Sequence, residues 1–193
     1  MSWLRPRMSA SAHTGRLSEA VAGGVCTQIG PGSYIAMCGL NMISPAGRCF
    51  TFDESGDGYA RGEGCGMIYL KASDHEKDMF DQLACILGCA VNQDGRSASM
   101  TAPNGPSQQT CILASMREAG NEASDINLAE CHGTGTALGD PIEVGALRNV
   151  MEPRSSPLAL TSSKSNLGHL EGCAGIAGLL KCVMMLLAGV CPP

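Results

Sequence analysis

Basic residues are too few to build a face for nucleic acid. Thirteen Lys and Arg stand against 18 Asp and Glu, a formal charge of −5, so a phosphate backbone would meet no positive surface. No C-x-x-C pair occurs among the 11 cysteines, the closest spacing is Cys85 to Cys89, and the count is odd. This removes a disulfide scaffold; most of the cysteines read as small buried hydrophobes of a reducing compartment, with the cytoplasm as the expected location. The first 18 residues lack the apolar centre of a secretory signal and carry Arg5, Arg7 and Arg16, several serines and no acid. A transit peptide to plastid or mitochondrion is the alternative for this stretch, and an unstructured start over residues 1–17 is the simpler reading. Aromatics reach only 4% while glycine numbers 25, a composition suited to close approach of backbones and to sharp turns.

What is present describes a globular chain. Hydrophobic residues make up 44% and charged ones 16% of 193, enough for one domain with a full core or for part of a larger one. Strand-like runs span Ala20 to Val25, Met67 to Lys71, Ala84 to Val91, Ile126 to Cys131 and Leu158 to Ser162. They alternate with helical patterns at Pro106 to Ala119 (closed by Gly120), Pro141 to Met151 and Gly172 to Leu187. Such alternation predicts an α/β fold with a largely parallel sheet. The stretch "CAGIAGLLKCVMMLLAGVC" approaches membrane-spanning length, but Lys181 sits at its middle, where a charge costs roughly 2.5 to 3.5 kcal/mol on insertion scales. A core helix is therefore expected, and no membrane span.

Two long loops, "FDESGDGYARGEGCG" and "NQDGRSASMTAPNGPSQQ", are of a length that is more often functional than idle. The first places Asp53, Ser55, Asp57 and Gly58 at calcium-loop positions, but Gly64 stands where the closing Glu belongs, so Arg61 and Glu63 read as pairing with neighbours to hold a Gly-rich turn.

"ECHGTGTALGDPIE" sets Cys131 beside His132. Successive strand residues point to opposite faces, so the two cannot serve one reacting atom as nucleophile and base. Cys131 belongs to the core and His132 to the strand's C-terminal end, where ligands of open α/β sheets gather. Asp140, Pro141 and Glu143 read as an N-cap, N1 proline and N3 acid completing a capping box. The Gly133-x-Gly135-x-x-x-Gly139 turn suggests a dinucleotide loop, against which the acids at the helix mouth count. In "SSKSNLGHLEG", Lys164, His169 and Glu171 also follow a strand, and two histidines with a lysine at two strand ends form a convergent polar set. Each histidine as a satisfied helix-mouth residue is the bland alternative.

Taken in order, "SPAGRCFTFDESGDGYARGEG", "AVNQDGRSASMTAPNGPSQ", "ECHGTGTALGDPIE" and "KSNLGHLEGCAGIAGLLK" resemble the successive signature blocks of the β-ketoacyl synthase (ketosynthase) domain of modular polyketide synthases, from about Ser18 to Pro193. The resemblance implies a thiolase-like layered α-β-α-β-α sandwich, here partial and mostly the C-terminal half, normally in a homodimer. It implies an acyltransferase that joins a cysteine-bound acyl chain to the carbanion left when malonyl on an acyl carrier protein loses CO2. No cofactor is implied beyond the carrier's phosphopantetheine. His132 and His169 match the two oxyanion donors and Lys164 the lysine that orders the second; Glu143, Glu171, Thr134, Thr136 and Asn166 fall in the same blocks as supporting residues. The family's nucleophilic cysteine lies upstream of the block that here reads Ala22 to Val25, where this chain has "RMSASAHTGRLSEA". A fragment unable to turn over alone is expected, with a non-catalytic docking protein and a nucleotide-binding α/β protein as alternatives.

Overall fold

The computed structural model describes residues 18–73, 78–95, 97 and 102–192; the segment 1–17, with His13, lies outside them. Strand β1 (Glu19–Cys26) pairs antiparallel with β2 (Gly64–Lys71), Val21 opposite Tyr69 and Gly23 opposite Met67. Strand β3 (Leu128–Glu130) pairs parallel with β4 (Ala159–Thr161). The expected largely parallel sheet is thus corrected: one ribbon is antiparallel and one parallel. The helices are α1 (Gly32–Gly39), α2 (Asp78–Asp81), α3 (Gly105–Ala119), α4 (Gly139–Met151), α5 (Lys164–Leu167) and α6 (Ala174–Ala188).

Local chemistry sets the clearest boundaries. Helix α3 starts where the Asn104 side chain accepts from the Ser107 backbone N–H at 3.1 Å and stops at Gly120, which takes the left-handed conformation at φ 70°. The run Ala84 to Val91 is not a strand. It lies along α3 instead: the Cys89 N–H donates to Glu118 Oε2 at 2.7 Å, and a Cβ at Gly88 would stand 2.3 Å from the Ser115 carbonyl oxygen. An apolar run becomes a strand only if a ladder partner reaches it, and here a helix occupies that side.

Two small cores organise the chain. Cys26, Leu170 and Cys173 form one under the β1–β2 ribbon, joined by Ala174, Ile176 and Ala177. Ala123, Val150 and Met151 form the other, with Ile112, Met116, Ile126 and Leu158 against them. The ribbon meets the segment before α6 through bare backbone: a Cβ at Gly24 would lie 2.2 Å from the Gly172 carbonyl oxygen. A main-chain oxygen cannot swing aside. Gly24→Ala is therefore expected to destabilise by about 1–3 kcal/mol, whereas Gly30→Ala, with nothing within 4 Å of the added carbon, leaves the thermal midpoint unchanged. Differential scanning calorimetry of the two variants checks this.

The segment Glu171–Ala188 is long and apolar enough to cross a membrane by length and composition. In the fold its small residue Gly178 is buried against Glu130, and Lys181 Nζ lies 3.0 Å from Glu130 Oε2. The lone cation of an apolar helix thus has an acidic partner at the end of β3. Outer faces remain apolar and exposed: Val21, Val25, Met67 and Tyr69 on the ribbon, Met184, Leu186 and Leu187 on α6.

Candidate active site

The chain leaves β3 at Glu130 and alternates, as a strand must, between Cys131 inside and His132 outside. The Cys131 thiol is 6% exposed, and burial, reinforced by the charges of Glu143 and Glu130, pushes it up to about 12. It is a core thiol, and His132 faces elsewhere.

The loop after His132 is held by the two acids of α4, in a manner the sequence does not foretell. Glu143 accepts the backbone N–H groups of His132 and Gly133 at 2.6 and 2.8 Å. Asp140 accepts those of Gly135 at 3.1 Å and, across 88 residues, of Phe52 at 2.9 Å. The expected capping box does not form: the helix starts at Gly139, its N-cap is Leu138 with no side-chain cap bond, and both carboxylates reach back into the loop. Gly135 turns that loop at φ 77°, a conformation that a Cβ would strain. Thr134 and Thr136 share a hydroxyl contact at 3.2 Å, and Thr136 Oγ1 accepts the Gly139 N–H. With carboxylates occupying these N–H groups, the loop has none of them left to cradle a pyrophosphate.

His169 follows β4 and α5 and is docked on the strap that precedes β2. Its N–H donates to the Ala60 carbonyl at 2.7 Å, and its own carbonyl accepts the Gly62 N–H at 3.0 Å. The two imidazole centroids lie 5.1 Å apart at 86°, with the Tyr59 ring a further 5.1 Å from His169. Lys164, 5% exposed on α5, completes the group. Burial lowers its affinity for a proton, against the pull of Glu143 and Glu130.

Burial and neighbouring charge favour the neutral form of both imidazoles. Burial, then the His132 and Lys164 charges, brings His169 down to about 4. His132 is lowered by burial and then by Lys164, but by surface area it is the ring more open to solvent, which weakens its shift. The Glu171 backbone N–H donates to His169 Nδ1 at 3.0 Å, so the neutral ring carries its proton on Nε2. Because the folded pKa of His169 lies below the unfolded value near 6.5, the unfolded chain binds a proton first; the contribution of this group to stability is intact above pH 6.5 and is lost as pH falls toward 4. An NMR titration is expected to show the His169 ring unprotonated until about pH 4.

A cavity of about 410 Å³ opens on the His132 side, lined also by Asp94, Gln108, Thr134, Asp140 and Glu143. Asn166 is exposed, its Nδ2 donating to the Ser165 hydroxyl, and Glu171 contributes its backbone N–H while its carboxylate turns to Arg61. Tyr59 and Glu130 are part of the arrangement without being singled out by the motifs, while Asp140 and Arg61 read in the sequence only as a helix cap and a turn residue. For Glu130 a signal exists, an acid at a strand end and a solitary Lys in an apolar helix.

Layered strands and helices carrying this imidazole pair define a thiolase-like ketosynthase architecture. Among solved structures, the ketosynthase from module 6 of the bacillaene synthase of Bacillus subtilis 168 matches with TM-score 0.83 and 36% identity, over 90% of this chain and 32% of that one. An oxazolomycin ketosynthase domain of Streptomyces albus matches with TM-score 0.85 and 34% identity, over 91% and 31%. Family models for the beta-ketoacyl synthase N-terminal and C-terminal domains match residues 8–76 and 83–193. The chain belongs to the β-ketoacyl synthase family. A phenolphthiocerol/phthiocerol polyketide synthase of Mycobacterium tuberculosis is 47% identical over 182 residues, 92% of this chain and 8% of that protein. The highly reducing polyketide synthase tstA of Talaromyces stipitatus is 39% identical over 187 residues, 95% and 7%. The chain spans less than a tenth of the length of these curated relatives.

Proposed function

We propose that this chain supplies the decarboxylation side of a β-ketoacyl-carrier-protein synthase acting in decarboxylative Claisen condensation. The observation that carries the reading is the pair of neutral imidazoles 5.1 Å apart beside a buried lysine. A malonyl thioester on the phosphopantetheine arm of an acyl carrier protein is the substrate. The bond to its carboxylate breaks, CO2 leaves, and the electron pair passes into the thioester carbonyl as an enolate. Nε2–H of His169 and the His132 ring donate to that oxygen, with burial, and behind it Lys164, favouring the neutral form of both rings. The enolate carbon then attacks an acyl thioester, forming the C–C bond and expelling a cysteine thiolate.

That last cysteine is not among the eleven of this chain. The thiols whose affinity for protons departs from the ordinary value, Cys49, Cys131 and Cys182, are all raised by burial, the reverse of an activated nucleophile. Cys26 lies six residues before α1 and is packed on Leu170 and Cys173, not at a helix N-terminus. A homodimer is the proposed assembly, supported by the apolar faces of the ribbon and α6, and the eleven free cysteines support a reducing compartment such as the cytoplasm. The raised thiols also favour a second reading, a docking protein for carrier protein without turnover.

Incubation with malonyl carrier protein separates the two. We expect CO2 release above the uncatalysed rate, no condensation product and, by intact-protein mass spectrometry with an acyl pantetheine thioester, no adduct on any cysteine. Carrier binding without CO2 release would establish the docking reading instead.

A further inference from the structure

We infer that Arg61 is a positioning residue that selects the tautomer of His169 by holding Glu171 in a left-handed backbone conformation; its catalytic meaning rests on the function proposed above.

Three sets of contacts converge on this. The Arg61 side chain is 4% exposed, and its Nε and Nη2 both donate to Glu171 Oε1, at 2.9 and 2.8 Å. Its Nη1 donates to the Ser33 hydroxyl at 2.5 Å, and the guanidinium stands 4.7 Å from the Tyr34 ring centroid. The fork is therefore anchored on α1 and has one charged target. That target, Glu171, has φ 41°, a conformation that non-glycine residues adopt only when surroundings impose it.

The N–H of Glu171 is the group that fills His169 Nδ1. Leu170 and Cys173, on either side of Glu171, are both held in one core, so a return of φ to its ordinary range would be taken up between them by rotation of the peptide plane joining Leu170 to Glu171, which carries that N–H. Losing it frees Nδ1 to take the proton, and Nε2 would cease to be a donor. The same short strap anchors the ring's backbone through Ala60 and Gly62. Both the location of the His169 main chain and the partner of its Nδ1 are thus referred to Arg61 and its neighbours.

The test is a two-bond 1H–15N correlation on the uniformly labelled full chain near neutral pH, the His169 signals being assigned by their loss in His169→Gln. Wild type is expected to show the Nε2–H form. Arg61→Met should lower the ratio of Nε2–H to Nδ1–H by about fivefold or more, the weight of one ordinary hydrogen bond, and Arg61→Lys, which keeps charge without the fork, by less. Adding Glu171→Gly to Arg61→Met should restore the wild-type ratio, because glycine holds a positive φ without help. An unchanged ratio in both single variants overturns the inference; so does failure of the glycine to restore it. Arg61→Lys keeps the test decisive if Arg61→Met does not fold. Tautomer shifts as expected, with no CO2 release from wild type, would overturn the proposed function and leave the role of Arg61 standing.

Discussion

His169→Ala is expected to lower CO2 release from malonyl carrier protein by about 10²–10³-fold, the effect of removing one preorganised oxyanion donor. The size follows from what the ring does in each state. In the proposed reaction its Nε2–H would meet a thioester carbonyl before the C–C bond breaks and a full enolate charge afterwards, so the interaction would grow along the reaction coordinate and belong to the rate more than to binding. The loss should accordingly appear in kcat with KM little changed. His132→Ala is expected to fall in the same range. The double variant should lose less than the product of the two, because the rings serve one oxygen at 5.1 Å from each other. Steady-state measurement of CO2 release in the single and double variants checks all three. A loss under threefold for His169→Ala would mean that the pair does not face the reacting carbonyl.

Glu130→Ala is expected to destabilise the fold by about 3–5 kcal/mol, the range for breaking one side of a buried ion pair. The side chains of Glu130 and Lys181 are 9% and 12% exposed, and the carboxylate also accepts from Thr161 Oγ1 and from the Ser163 N–H, both at 2.6 Å. Truncation leaves an ammonium in an apolar helix and frees two further donors. Set against a total stability of about 5–15 kcal/mol, this is enough to threaten folding. Lys181→Met is expected to cost less, since Glu130 keeps its two uncharged donors and the methionine packs on α6. Chemical denaturation of the three proteins distinguishes these outcomes. Acid should act in the same direction: burial raises the Glu130 carboxyl, but Thr161, Ser163 and Lys181 outweigh it and hold the group below its ordinary value. Its stabilisation is complete above the unfolded value near 4.3 and fades as pH falls through the folded one. This adds to the loss already under way from His169.

Patterns of short range are legible in the sequence and those of long range are not. Asn104 and Gly120 bracket α3 because capping is settled by neighbours a few residues apart. The alternation that turns Cys131 inward and His132 outward is likewise a property of consecutive residues. By contrast the contact of Asp140 with Phe52 spans 88 positions, and Arg61 meets Glu171 across 110. The run Ala84 to Val91 shows the same limit: its composition suits a strand, and only the neighbouring α3 decides otherwise. Helix α1, which begins at Gly32 with no side-chain cap, carries no start signal to read.

The contact of Gly24 with the carbonyl of Gly172 puts a hard stop between the ribbon and the approach to α6. No side chain at that point has a torsion to adjust, so the approach of the helix to the strands is limited by main-chain van der Waals contact. Any side chain placed at residue 24 would be read out as a displacement of α6 from the ribbon instead of a change of rotamer.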